Sequence, residues 1–424
     1  PDYVTPVSNA YLAGVTTLTC GQVSFAHSAP TGFKEINTAN LSTSNILNGK
    51  KYFDTILYEG NGDTQKIGQF QPITESFTVG NSALFIDGDS CTLSKTFSST
   101  PTSDRQGTFS WWFKRGKVQD QVTMLSQTHP GSGSRDTIYV QLSSADILTV
   151  SMETASGTAI VRTTNRKFAD TTQWVNIVIR IDGTQTDDTC MKIYINGVQL
   201  TDFSSKTNLG SSTDLELGSG TNPWTWGTLA RYTSGNYYDG YMSEIVYCDG
   251  QLLDSDSFGE VDSTTNRWIP KDVSGLTFGN NGYYLNMADK NDLGDDESGN
   301  TNDFTESGLD TTNGSNQFYD TPTRNFATMD PGRAINETIT KGNLLGTSGG
   351  ATGQTRVPNP FGVSSGKWYF EYLMTNGTTN ERTMYVTQDD IAISATQIRS
   401  LTGHYSGYYS YDGNVQTPGD PTST

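Results

Sequence analysis

The chain has 424 residues, 44 of them glycine, with 33% hydrophobic and 11% aromatic residues and a formal net charge of −18. That charge excludes nucleic-acid binding, which needs Lys and Arg to displace counterions, and disfavours docking on anionic lipid. No apolar run reaches the roughly 18 residues of a membrane span, so membrane insertion by a helix is excluded, and no signal-peptide pattern is present.

The length accommodates two or three modules. Dense Gly, Thr, Ser, Asn and Asp predict short strands joined by tight turns, hence an all-β protein with little helix. The low hydrophobic content suits strands that bury one face. Cys20, Cys91, Cys190 and Cys248 form no CxxC pair, so they are expected as free buried thiols, although Cys190 and Cys248 each end a strand-like run and are candidates for neighbours. The chain opens at Pro1 and stops in PGDPTST, as expected of a processed chain or a piece of a longer one.

Taken in order, strand signals concentrate between residues 74 and 270. In 108–114, Phe109, Trp111 and Phe113 alternate with Thr108, Ser110 and Lys114, which predicts a half-buried strand. In 174–182, Val175, Ile177, Ile179 and Ile181 share one face while Asn176, Arg180 and Asp182 point away. Met191, Ile193 and Ile195 then run into Asn196-Gly197, the cue for a type I′ hairpin because both central residues need positive φ. A last strand over 240–248 completes an antiparallel sandwich. Residues 276–331 form a turn-rich segment, too long for a plain loop, expected to wrap its neighbours through Tyr283, Tyr284, Phe304, Phe318 and Phe326. Residues 389–400 are a weak helix candidate.

FSWWFKRGK (109–117), QWVNIVIRIDG (173–183), KIYINGVQLTDF (192–203) and DGYMSEIVYCDGQ (239–251) occur in the order of laminin-G-like (concanavalin A-like) jelly rolls of bacteriophage tail-fibre and virion proteins, which this stretch resembles. SSGKWYFEYLM (364–374) and GYYSYDGNVQ (407–416) resemble the opening and middle of a SPRY domain, and 20–41 is similar to the closing strands of such a module. FYDTPTRNFATMDP (318–331) resembles connectors of the same phage proteins. The resemblance implies an antiparallel jelly-roll sandwich over 74–271, a linker at 46–73, an extended connector at 272–354, and SPRY-like segments at 1–45 and 355–424. Those terminal segments belong either to two modules of a longer array or to one split sandwich.

Chemistry is sought in three places. Retaining glucanases on this fold need two carboxylates about 5 Å apart, carried by an acidic ExDxxE run on a strand. Asp214 and Glu216 have the spacing but lack the third carboxylate, and His27, His129 and His404 have no nucleophile elbow, so no catalytic residue is assigned and no enzyme is expected. Calcium is the candidate cofactor, with Asp87 and Asp89 in 85–90 and Asp295 and Asp296 in 292–303 as candidate ligands in acidic turns, which are more often simply solvated. No EF-hand is present, because Leu293 falls where an oxygen is needed.

Sugar recognition has richer residues. The 218–240 loop carries Trp224, Trp226, Tyr232, Asn236, Tyr237 and Tyr238, offering rings to stack on sugar C–H faces and an amide for hydroxyls. The competing expectation is that the tryptophans plug one end of the sandwich or pack on another subunit, and the tyrosines at 405, 408, 409 and 411 are expected in a SPRY-like core. The resemblance implies a non-enzymatic virion protein, a tail fibre or similar appendage, whose partners are other virion proteins and a host-surface glycan, assembled as a homotrimer. The alternatives are a purely structural virion decoration or linker protein, and a polysaccharide-degrading enzyme.

Overall fold

The computed structural model describes residues 4–11, 15–41, 77–128, 136–154, 157–219, 223–229, 236–262, 266–310, 314–334, 337–348, 354–358, 366–375, 382–388, 405–409 and 415–416. The chain divides into two compact units, 41–325 and 1–40 with 326–424. The helix expected at 389–400 and the linker at 46–73 lie outside the described residues.

The 41–325 unit is an all-β jelly-roll sandwich built on two antiparallel sheets. One sheet runs Phe203–Thr207, Gly157–Lys167, Ile147–Thr154, Asp136–Leu142, Val122–Thr128, Trp224–Trp226, Thr92–Lys95 and Thr305–Ser307. The other runs Val198–Gln199, Met191–Ile195, Val175–Asp182, Gln106–Arg115, Gly240–Asp249, Ser82–Phe85 and Gln317–Phe318, with Tyr283–Leu285 also paired to Gly240–Asp249. Period-two alternation sends Phe109, Trp111, Phe113, Ile177, Ile179 and Ile181 inward against Leu125, Val140, Val150 and Met152. The Asn196-Gly197 turn forms as its chemistry predicts: φ is +48° and +80°, and Ile195 pairs with Val198.

Two expectations are corrected here. Gln106–Arg115 is buried on both faces, including Thr108, Ser110 and Lys114. The reason is a second apolar layer: Phe258, Val273, Phe278 and Tyr284 fold back onto the outward side chains Val178, Tyr194, Val246 and Cys248. A strand covered on both sides loses the polar-out half of its pattern, but short Thr and Ser and a paired Lys fill the same positions. The sandwich also continues past residue 271, because residues 276–325 supply strands to both sheets. Tyr283, Tyr284, Phe304 and Phe318 are buried there.

In the other unit Val4–Tyr11 lies between Gln354–Pro358 and Arg382–Gln388. Val15–Thr19 lies between Leu345–Ser348 and Glu371–Thr375. The amino- and carboxy-terminal segments thus complement each other strand by strand, around Leu18, Cys20, Ile36, Phe326, Met329 and Leu344. The Cys190, Cys248 and Cys91 thiols are free and buried, and Cys20 is buried too. Cys190 belongs to the core between the sheets and Cys248 to the outer layer, so they are not packed as neighbours.

Candidate functional site

The strand Trp224–Trp226 sits between Val122–Thr128 and Thr92–Lys95, inside a sheet rather than at its rim. Both tryptophans are 0% exposed. Trp224 packs against Phe109 and Tyr247, Trp226 meets Trp111 edge to face, and the Trp226 Nε1–H donates to Tyr283 Oη at 3.1 Å. Tyr238 is also fully buried, its hydroxyl donating to the Lys114 carbonyl at 3.0 Å. These three rings have no face open to a sugar, which corrects their reading as stacking platforms: the alternation in WTW looks like a loop decoration in one dimension but is core in three. Asn236, in the left-handed region at φ +63°, and Tyr237 remain half-buried, and the Asn236 carbonyl caps the Thr123 N–H. Tyr232 lies outside the described residues.

The acidic candidates divide by what already holds them. Asp87 is an exposed partner of Lys117, which also pairs with Asp120. Asp296 accepts from the N–H groups of Tyr284 and Ser298 on one oxygen and from Ser298 Oγ and the Asn302 N–H on the other, at 2.8–2.9 Å. It is a loop staple. Asp295 is exposed, its carboxyl raised by partial burial and then by Asp292. Partial burial and a hydrogen bond with Glu306 push Asp292 up to about 6. Among the described residues no group of three or more His, Cys, Asp or Glu is placed to hold a metal, and the two acidic turns do not assemble one calcium cradle.

Asp214 and Glu216 do not share a strand face. They lie in a turn where Glu216 donates its N–H to Asp214 Oδ1 at 2.9 Å, with Glu216 at φ +54°. His27 is exposed, and His129 and His404 lie outside the described residues. The strand Tyr405–Tyr409 pairs with Arg382–Gln388, and Tyr411 lies outside the described residues.

Sequence reasoning passed over the buried polar groups of the second sheet. Lys114, 0% exposed, donates to Asp320 Oδ2 and to Asn325 Oδ1, each at 2.8 Å. Trp174 Nε1–H donates to Asp320 Oδ1 at 2.8 Å. Glu244, 6% exposed, occupies a bulge of Gly240–Asp249 at φ +51° and accepts from Tyr284 Oη at 2.7 Å. Burial pushes its carboxyl up to about 7 against the lowering effect of that hydrogen bond. A lysine within an aromatic strand was the one visible signal; partners 206 and 211 residues away leave none.

Residues 87–256 match the concanavalin A-like lectin/glucanases superfamily. No curated protein matches the chain in sequence. Among solved structures it is similar to a putative carbohydrate binding protein from Bacteroides ovatus, at 15% identity over 55% of this chain and 61% of that one, TM-score 0.37. It is similar to a heptameric SAP-like pentraxin from Limulus polyphemus, at 14% identity over 42% and 80%, TM-score 0.31. A third is the CBM40 of a Ruminococcus gnavus IT-sialidase bound to α2,3 sialyllactose, at 13% identity over 36% and 80%, TM-score 0.28.

Proposed function

We propose that the chain is a non-enzymatic bacteriophage virion protein, a tail fibre or fibre-like appendage, that attaches to a host-surface glycan through its jelly roll. The observation that supports this is the sandwich itself, together with the lectin/glucanase superfamily match over 87–256. Absence of an enzyme is part of the proposal, motivated by the turn geometry of Asp214 and Glu216. The phage origin, the SPRY-like nature of the terminal segments and a homotrimeric assembly rest on the motif resemblance; several copies per virion would multiply a weak affinity.

With Trp224, Trp226 and Tyr238 committed to the core, the proposed contact moves to Tyr237 and Asn236, with Tyr232 beside them in sequence. The full chain is titrated against candidate host cells and a glycan panel, with calcium and with EDTA. Saturable binding that the Asn236→Ala/Tyr237→Ala variant loses, at an unchanged unfolding midpoint, is the expected result. EDTA sensitivity would assign a metal to the contact. Binding to no surface by folded protein favours the second reading, a purely structural virion linker, which the inward tryptophans also suit. Release of reducing sugar would overturn both in favour of a polysaccharide-degrading enzyme.

A further inference from the structure

We propose that Lys114 and Asn325 are joined by an intramolecular isopeptide bond that the 41–325 unit forms on itself, with Asp320 as the proton shuttle. This is independent of whether a glycan binds.

The geometry starts with a short hairpin. Thr321 and Arg324 exchange backbone hydrogen bonds at 3.0 Å in both directions. Residues 320 and 325 are therefore the next cross-strand neighbours, and their side chains emerge on one face. Both reach the same amine: Lys114 Nζ lies 2.8 Å from Asp320 Oδ2 and 2.8 Å from Asn325 Oδ1. A carbonyl bond of about 1.2 Å then places Nζ no more than about 4 Å from the amide carbon.

Every member of the group is held. Asn325 Nδ2 donates to the Thr172 carbonyl at 2.8 Å, Trp174 fixes the second oxygen of Asp320, and Ser82 Oγ donates to the Asp320 carbonyl at 2.6 Å. Lys114 and Asp320 are 0% exposed and Asn325 is 2% exposed. The Tyr241 ring lies 5.7 Å from Nζ, and Phe318 packs edge to face on that ring. An amine, an amide and a carboxylate confined together without bulk water have the high effective concentration that an otherwise very slow aminolysis requires. The enclosure also suppresses the competing attack by water.

The step balances without an outside reagent. Asp320 accepts a proton from the Lys114 ammonium, and the freed lone pair on Nζ adds to Asn325 Cγ. Asp320 hands that proton to Nδ2 and relays a second one from Nζ along the same route. The Cγ–Nδ2 bond breaks, ammonium leaves, and an amide N–H remains between the two side chains. Asp320 ends as it began, a carboxylate, now hydrogen-bonded to the new amide.

Intact-mass measurement of the purified full chain, followed by tandem mass spectrometry of a digest, tests this. The expected chain is lighter than its sequence by one ammonia, and one digest product contains Lys114 and Asn325 on two peptides linked through those side chains. A chain at full sequence mass overturns the proposal. So does an ammonia loss that maps to an Asn-Gly succinimide, since those sites also lose ammonia. Lys114→Arg and Asn325→Ala are expected at full mass. The isosteric Asp320→Asn variant, checked for cooperative unfolding, is expected to cross-link to a small fraction of the wild-type extent; cross-linking at the wild-type extent would remove Asp320 from the chemistry.

Discussion

Single residues carry contrasting consequences in the core between the sheets and on the outer side of the second sheet. Trp226 fills the core, and its N–H is committed to Tyr283. Trp226→Ala is expected to lower unfolding stability by about 3–5 kcal/mol, because the vacated volume cannot collapse around neighbouring rings; chemical denaturation measures it. A loss under 1 kcal/mol would mean the ring is not packed as described. Glu244 acts through protons. Its folded-state carboxyl titrates near 7, above the ordinary 4.5, so the folded chain holds a proton that the unfolded chain releases. Stability is therefore fully favoured below about 4.5, declines as pH rises and levels off above about 7, a span worth about 3 kcal/mol. Glu244→Gln should remove that slope. Unfolding curves at pH 5 and pH 8 for both proteins would show it, and parallel slopes would refute the assignment.

At the scale of elements, the Asn196-Gly197 hairpin illustrates how a turn is fixed twice. Positive φ selects the residue pair, and Trp268 then closes over the turn so tightly that a Cβ on Gly197 would lie 2.4 Å from its ring. Trp268 in turn donates to Asn176 Oδ1 at 3.0 Å, and Asn176 donates to the Trp111 carbonyl at 3.1 Å. Gly197→Ala should displace Trp268 and destabilise the unit by at least roughly 1 kcal/mol, with a change in tryptophan fluorescence. Unaltered emission and an unaltered midpoint would show that the turn and Trp268 are uncoupled. The same hairpin was legible in the sequence because its chemistry is local. The covering layer was not: Phe258, Val273 and Phe278 carry no periodicity that announces which sheet they will cover.

For the 41–325 unit as a whole, closure depends on residues far along the chain. Tyr283–Leu285, Thr305–Ser307 and Gln317–Phe318 pair with strands contributed some 40 to 240 residues earlier, by the order of the sheets. A chain ending at residue 270 would leave Tyr247, Leu93 and Ala83 uncovered and the sheet edges unpaired. We expect such a truncation to lose cooperative unfolding and to be cleaved rapidly by protease. A truncated chain that unfolds in one sharp transition, with the midpoint of the full chain, would place the essential core within 77–270. The family match over 87–256 is narrower than the folded object, since the late strands are too short to carry a pattern of their own.

Alternating aromatics, β-branched runs and the Asn-Gly turn by themselves determined an antiparallel β-sandwich and most of its central strands, because strand period and turn chemistry act between residues close in sequence. Only tertiary structure decided which face of each strand is wet. It turned Trp224, Trp226 and Tyr238 inward, placed Asp214 and Glu216 in a turn, and gathered Lys114, Asp320 and Asn325 into one buried group. The physical reason is that burial depends on what comes to lie on top of a residue. For this chain that layer arrives from segments separated in sequence by up to 211 residues, whose own sequences record nothing of where they will land.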